Sequence, residues 1–244
     1  MLVGILETGR PPEVLQSHGS YPAMFERLLG PASKELTFRT YAAIDGEVPS
    51  DPHECDAWLV TGSRHGVYER TPWMLRTEEL LRKAMNARVP VVGICFGHQM
   101  LAQALGGKVI KSDKGWGFGL HDYAVEDAPG LARKAPARVT LPALHQDQVV
   151  EVPEGGRVIG GSDFCPNAII VYGDNAITFQ PHPEFEVPFL RGLSEHRLKG
   201  LAPDTVRDEA ERTFQDKTSD SPLIARWIAD FLLAKARERR QAAE

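Results

Sequence analysis

Gly93-Ile94-Cys95-Phe96-Gly97-His98-Gln99 places one cysteine between two glycines, each two residues away. Residues 89–94 ahead of it are apolar throughout, as in a strand buried on both faces of a sheet. Behind it Met100, Leu101, Ala104 and Leu105 recur at helical spacing until Gly106-Gly107 stops the pattern. Cys95 therefore sits in a sharp strand-to-helix turn, the place where a nucleophile is presented at the edge of a sheet. The glycines let that turn close. The helix N-terminus favours a thiolate, and the amide of Phe96 is placed to meet an oxyanion formed by its attack. The plainer alternative is a buried cysteine packing as a small hydrophobe, which would make the glycines, strand and helix a coincidence. Late in the chain, Gln180-Pro181-His182-Pro183-Glu184 follows a short strand at 176–179. Two prolines hold the segment extended, so His182 and Glu184 project to the same side. Glu184 can then orient the imidazole, and His182 can take the cysteine proton and return it to a leaving amine. Standing alone, that segment would read as a solvated surface loop.

Together the two segments resemble the class I glutamine amidotransferase family, whose Gly-x-Cys-x-Gly-x-Gln is followed late by His-Pro-Glu. The pattern is met at Gly93, Cys95, Gly97, Gln99, His182, Pro183 and Glu184, and the resemblance runs over roughly residues 2–184. It implies a triad of Cys95, His182 and Glu184 that opens the side-chain amide of glutamine through a γ-glutamyl thioester, releasing ammonia and glutamate without a cofactor. Thr61-Gly62-Ser63-Arg64 stands where the family has a Ser-Gly-Gly-Pro turn, so the second oxyanion amide would be that of Gly62 or Ser63, beside that of Phe96. Leu144-His145-Gln146-Asp147-Gln148-Val149 is similar to the segment that binds the amino-acid end of glutamine, in the form shared with γ-glutamyl peptidases. His145 and Gln146 are then substrate-binding candidates. Gln99 is another, or else an exposed residue of the helix. Arg10 and Arg64 are the basic residues singled out for a substrate carboxylate.

These residues need an α/β scaffold. The first half alternates short apolar runs (2–6, 36–41, 57–60, 89–94) with helical patterns (21–29, 73–86, 97–105). From 108 to 180 come short β-like pieces at 108–110, 119–125, 138–141, 149–152, 157–160, 168–172 and 176–179, with a turn at Gly173-Asp174-Asn175. The remainder is helical: Val206, Ala210 and Phe214 share a face, and Leu223, Ile224, Trp227, Ile228, Phe231 and Leu232 form a broad stripe with a basic end at Lys235, Arg237, Arg239 and Arg240. The expected fold is an α/β, flavodoxin-like, doubly wound and mostly parallel sheet with helices on both faces. Its amidotransferase domain would span 1–185, and a helical C-terminal extension, 186–244, would pack on it.

The 244 residues carry 28 Lys plus Arg against 33 Asp plus Glu, a net charge of −5 that disfavours a nucleic-acid partner. Three cysteines make no disulfide framework. No apolar run approaches the ~18 residues of a membrane span, and the N-terminus reads as a strand, so a cytoplasmic protein is expected. Lys114-Gly115-Trp116-Gly117-Phe118-Gly119 lacks dinucleotide spacing and reads as a bulge or hairpin at the site rim. His53-Glu54-Cys55 has no second pair at zinc spacing, so no metal is expected. Neither an ATP loop nor a synthetase domain is legible. The partner is thus glutamine or another γ-glutamyl small molecule, with ammonia passing to an acceptor or synthetase subunit. Hydrolysis of γ-glutamyl peptides by a stand-alone enzyme is the main alternative. A non-catalytic glutamine-sensing module is a third.

Overall fold

The structure, a computed structural model, describes residues 1–126 and 136–241, with side chains through Glu238. Arg239 and Arg240 of the basic helix end therefore lie outside the described side chains. Among the described residues the main sheet has nine strands. The five strands β1 (Leu2–Leu6), β2 (Thr37–Tyr41), β3 (Ala57–Val60), β4 (Val91–Ile94) and β11 (Ala176–Phe179) form a parallel half in the order β2-β1-β3-β4-β11. The sheet continues antiparallel through β10 (Ile169–Tyr172), β9 (Gly156–Gly161), β6 (Gly117–Val125) and β7 (Arg138–His145). A separate ribbon pairs β5 (Lys108–Lys111) with β8 (Asp147–Glu151).

Helices cover both faces, as βαβ connections require. On one side α1 (Tyr21–Leu29) and α6 (Ser221–Gln241) share a core with β1, where Phe25 and Leu29 meet Ile224, Ile228, Phe231 and Leu232. On the other, α2 (Pro72–Asn86) and α3 (Phe96–Ala104) bury Leu80, Leu81, Met100 and Leu101 against Val60 and Val91. The apolar stripe read in 223–232 is thus one layer of the main core. A third cluster joins α4 (Val187–Leu193) and α5 (Asp204–Asp216) to α1 and β6 through Phe189, Ala210, Tyr21 and Phe118.

Local signals set the element ends. The Ser20 hydroxyl caps α1 by accepting from the Ala23 amide, and Pro22 sits in the first turn, where a missing N–H costs nothing. Pro72 starts α2 in the same way. The strand at 138–141 runs four residues further than the sequence pattern suggests, because Pro142 to His145 pair with Leu120 to Gly117 of β6.

The register of the parallel half positions the site. Leu6 lies beside Val60, Val60 beside Gly93, and Ile94 beside Phe179. The residues that follow each strand, at Glu7, Thr61, Cys95 and Gln180, therefore emerge along one edge, the carboxyl end where open α/β sheets bind ligands.

Candidate active site

Cys95 occupies the turn between β4 and α3 with φ 51° and ψ −99°, a backbone that L-residues rarely adopt. Such strain costs about 1–3 kcal/mol and persists only where the surroundings hold it. Here the Cys95 amide donates to the Phe179 carbonyl at 2.7 Å, locking the turn to β11. Gly93 and Gly97 are required by close approach. A Cβ on Gly97 would stand 2.4 Å from the Val60 carbonyl oxygen, and one on Gly93 would stand 2.6 Å from the Gly97 oxygen. The amide of Phe96, first in α3, has no intrahelical acceptor.

The loop after β11 brings His182 and Glu184 to the same place. Their Nδ1 and Oε1 atoms are 2.7 Å apart, and both side chains are almost fully buried. The His182 amide donates to the Pro142 carbonyl at 2.8 Å. The ring of Phe185 stacks on the imidazole, with centroids 4.1 Å apart and planes 7° from parallel, and fixes its plane. Burial by itself would lower the His182 pKa. The charges of Cys95 and Glu184, and the hydrogen bonds to them, outweigh it and raise the imidazole to about 10. Among the described residues the second Glu184 oxygen is buried without a partner.

The loop after β3 closes on this pair. The Thr8 hydroxyl, at the end of β1, lies 2.9 Å from the Thr61 carbonyl oxygen and 3.1 Å from that of Gly62. A Cβ on Gly62 would come within 2.8 Å of His182 Cε1 and 3.8 Å of Cys95 Cβ. Among the described residues no backbone carbonyl engages the amides of Gly62 and Ser63.

Cys95 opens into a cavity of about 220 Å³, whose walls include Ser63, Gln99, His145, Gln146 and Asp147. The sequence-predicted residues thus converge. Gln99 is buried, and its Nε2 donates to the Asp147 carbonyl at 2.9 Å and to Gln180 Oε1 at 3.0 Å, so the exposed alternative falls. His145, at the end of β7, is buried, and among the described residues neither ring nitrogen has a side-chain partner. Burial, with help from the nearby His121 and His182 charges, lowers it to about 3, so it is a neutral imidazole. Trp116 lines the rim, as read for its glycine-rich loop. Arg64 lines the cavity too. Arg10 does not line it, being held by ion pairs to Glu7 and Asp45.

Other groups around the cavity were not among the candidates named from the sequence. Gln180 donates to the Cys95 sulfur at 3.5 Å. Lys111 stands opposite Asp147 in the β5–β8 register, with Tyr68 and Glu69 nearby in the wall. Burial raises the Asp147 carboxyl above the usual range, partly countered by Tyr68 and Lys111. Arg197 arrives from the single π-helical turn Ser194–Leu198 that follows α4. Asp147 and Gln180 had a signal, each lying in a segment that carries a candidate, whereas the strands read at 108–110 and 149–152 stop short of Lys111 and Asp147.

Cys55 and Cys165 are buried thiols whose pKa values burial raises, Cys165 to about 12, as fits structural cysteines. Among the described residues no group of three or more His, Cys, Asp or Glu side chains could hold a metal ion, and no helix is long and apolar enough to cross a membrane.

Comparison with known proteins gives this geometry a setting. γ-Glutamyl peptidase 4 of Arabidopsis thaliana is 29% identical over 76% of this chain and 76% of its own. γ-Glutamyl peptidase 5 of the same plant is 27% identical over 96% of this chain and 95% of its own. The crystal structure of a glutamine amidotransferase from Thermotoga maritima superposes with a TM-score of 0.72 at 22% identity, covering 97% of this chain and 98% of that one, a likeness of fold. The model of the family described as glutamine amidotransferase class-I matches residues 14–188. With well over half of the chain inside that match, the protein belongs to the class I glutamine amidotransferase family.

Proposed function

We propose that the chain hydrolyses a γ-glutamyl amide, the side-chain amide of glutamine being the simplest, through a γ-glutamyl thioester on Cys95. One observation carries this reading. A cysteine in a strained strand-to-helix turn opens into a cavity, and a buried His182–Glu184 pair at 2.7 Å lies beside that cysteine. The cavity also holds charges of both signs, Lys111 beside Asp147 and Glu69, as a zwitterionic glutamyl end requires. His145, Gln146 and Gln99 line it with neutral polar groups.

The Cys95 sulfur adds as thiolate to the amide carbon, and the carbonyl electrons move to oxygen. The amide of Phe96 and that of Gly62 or Ser63 donate to this oxyanion. His182, protonated at neutral pH because its pKa is raised to about 10, gives its proton to the nitrogen as the C–N bond breaks. Ammonia or an amine leaves, and the thioester remains. Neutral His182 then takes a proton from water, the hydroxide adds to the thioester carbon, and collapse expels Cys95 and releases glutamate. Glu184 holds the ring in the tautomer with Nδ1–H toward it, leaving Nε2 for the reaction.

A second reading, hydrolysis of γ-glutamyl peptides, is favoured by the likeness to the two plant γ-glutamyl peptidases. Delivery of ammonia to an acceptor or synthetase subunit is the amidotransferase form of the same chemistry. Glutamate release from glutamine and from γ-glutamyl dipeptides, measured with wild type and Cys95→Ala, tests the proposal. Release that the substitution abolishes supports it, and release that survives Cys95→Ala refutes it.

A further inference from the structure

We propose that Arg64 and Arg197 form a subsite for an anionic leaving group, so that a γ-glutamyl peptide with a free carboxylate is preferred over free glutamine; this rests on the γ-glutamyl amide reading above.

Size comes first. The cavity at Cys95, about 220 Å³, is smaller than the roughly 300–1,000 Å³ of ordinary small-molecule sites, and suits one amino-acid end. A second cavity, of about 540 Å³, adjoins it. Arg64 and Arg197 belong to the walls of both, so they stand where the two cavities adjoin. Free glutamine has nothing beyond its scissile amide to enter that second space. A peptide does.

Charge comes second. The second cavity is lined by Arg10, Arg64, His196 and Arg197 against one acid, Glu13. Arg10 is neutralised by Glu7 and Asp45. Neighbours of Arg197 are also paired, Arg207 with Glu195 and Asp204, and Lys199 with Glu195. Among the described residues neither Arg64 nor Arg197 makes a salt bridge; Arg64 is exposed and acts on the Glu69 carboxylate only from a distance, and Arg197 is half-buried, interacting with the Tyr21 hydroxyl. A half-buried guanidinium without a counter-charge is costly unless a ligand supplies one, and its planar fork matches a carboxylate. A third cavity, about 360 Å³, meets the first at Lys111, Trp116 and Gln146. Its further cation, Lys114, is spent on the carbonyls of Asp163 and Phe164, so the arginine side is the better anion site.

The test compares kcat/KM for γ-glutamyl-alanine, γ-glutamyl-alaninamide and glutamine in wild type, Arg197→Met and Arg64→Met. Wild type should favour the free carboxylate over its amide by about tenfold, the scale of one charge-assisted hydrogen bond. That ratio should fall toward one in Arg197→Met and drop several-fold in Arg64→Met, which keeps the test alive if loss of Arg197 impairs folding. A wild-type ratio near one, or a ratio retained in both variants, overturns the subsite. Failure of wild type to cleave any of the three amides overturns the hydrolytic reading, and this inference with it.

Discussion

Glu184→Gln keeps the shape of the side chain beside His182 and removes its charge. The native atoms are 2.7 Å apart and the side chains are 4% and 0% exposed, so solvent screens the pair little. With charge centres about 4 Å apart and an effective dielectric of about 20, the attraction is ~4 kcal/mol. At ~1.4 kcal/mol per pH unit this is about three units. The glutamine carbonyl still accepts from Nδ1 and recovers part of it, so a fall of about two units is expected. The native imidazole stands at about 10, because Cys95 and Glu184 together outweigh burial. The sign follows. A raised histidine pKa gives stability that is whole below about 6.5 and lost as pH rises through about 10. Its protonated form, needed by the leaving nitrogen, disappears over the same upper limb. Kinetics of glutamate release between pH 6 and 11 should show a wild-type plateau ending near pH 10 and a variant plateau ending about two units lower. Coincident alkaline limbs would refute the assignment of Glu184 as the charge that holds His182.

Other perturbations reach different parts of the site. Cys95→Gly and Cys95→Ala should both be inactive, but the glycine variant should be the more stable by about 1 kcal/mol in urea unfolding, since it alone accepts φ 51° without strain. Gly62→Ala puts a methyl 2.8 Å from His182 Cε1. It should cut kcat/KM by about a hundredfold with little loss of stability, because misplacing a reacting group by about 1 Å costs that much. Gly97→Ala meets backbone at 2.4 Å and should destabilise by about 3 kcal/mol, read as a lower urea midpoint. Buried His98 and His145 are both held near 3 by burial, so only the unfolded chain binds their protons as pH falls below 6.5. Stability should therefore drop by ~1.4 kcal/mol per pH unit for each between about pH 6 and pH 4, and less in His98→Asn.

The candidate site was legible in short segments, and the fold class in the alternation of strands and helices, but the strand order was not. Cys95, His182 and Glu184 sit in short segments whose glycines and prolines impose local geometry, so a few neighbours suffice to read them. The runs at 2–6 and 176–179 appear in the structure as β1 and β11 with the same bounds. Strand order did not show, because β4 pairs with β11 across 81 intervening residues, and pairing at that range leaves no periodic mark. His145 and Asp147 read as one polar segment, whereas they end one strand and begin another in different sheets. Arg197 was hidden for another reason. Residues 186–244 show the amphipathic pattern of packing helices, and α5 and α6 are such helices. The turn at Ser194–Leu198 breaks that pattern without a motif, and carries an arginine to the cavity wall.

The central claim is covalent: a γ-glutamyl thioester forms on Cys95. Wild-type protein mixed with a γ-glutamyl amide, quenched in acid within one turnover and digested, should yield the Cys95 peptide carrying one added glutamyl group. Addition of hydroxylamine should remove it, and Cys95→Ala should never acquire it. Glutamate release that proceeds with an unmodified Cys95, or that persists in Cys95→Ala, would contradict the account.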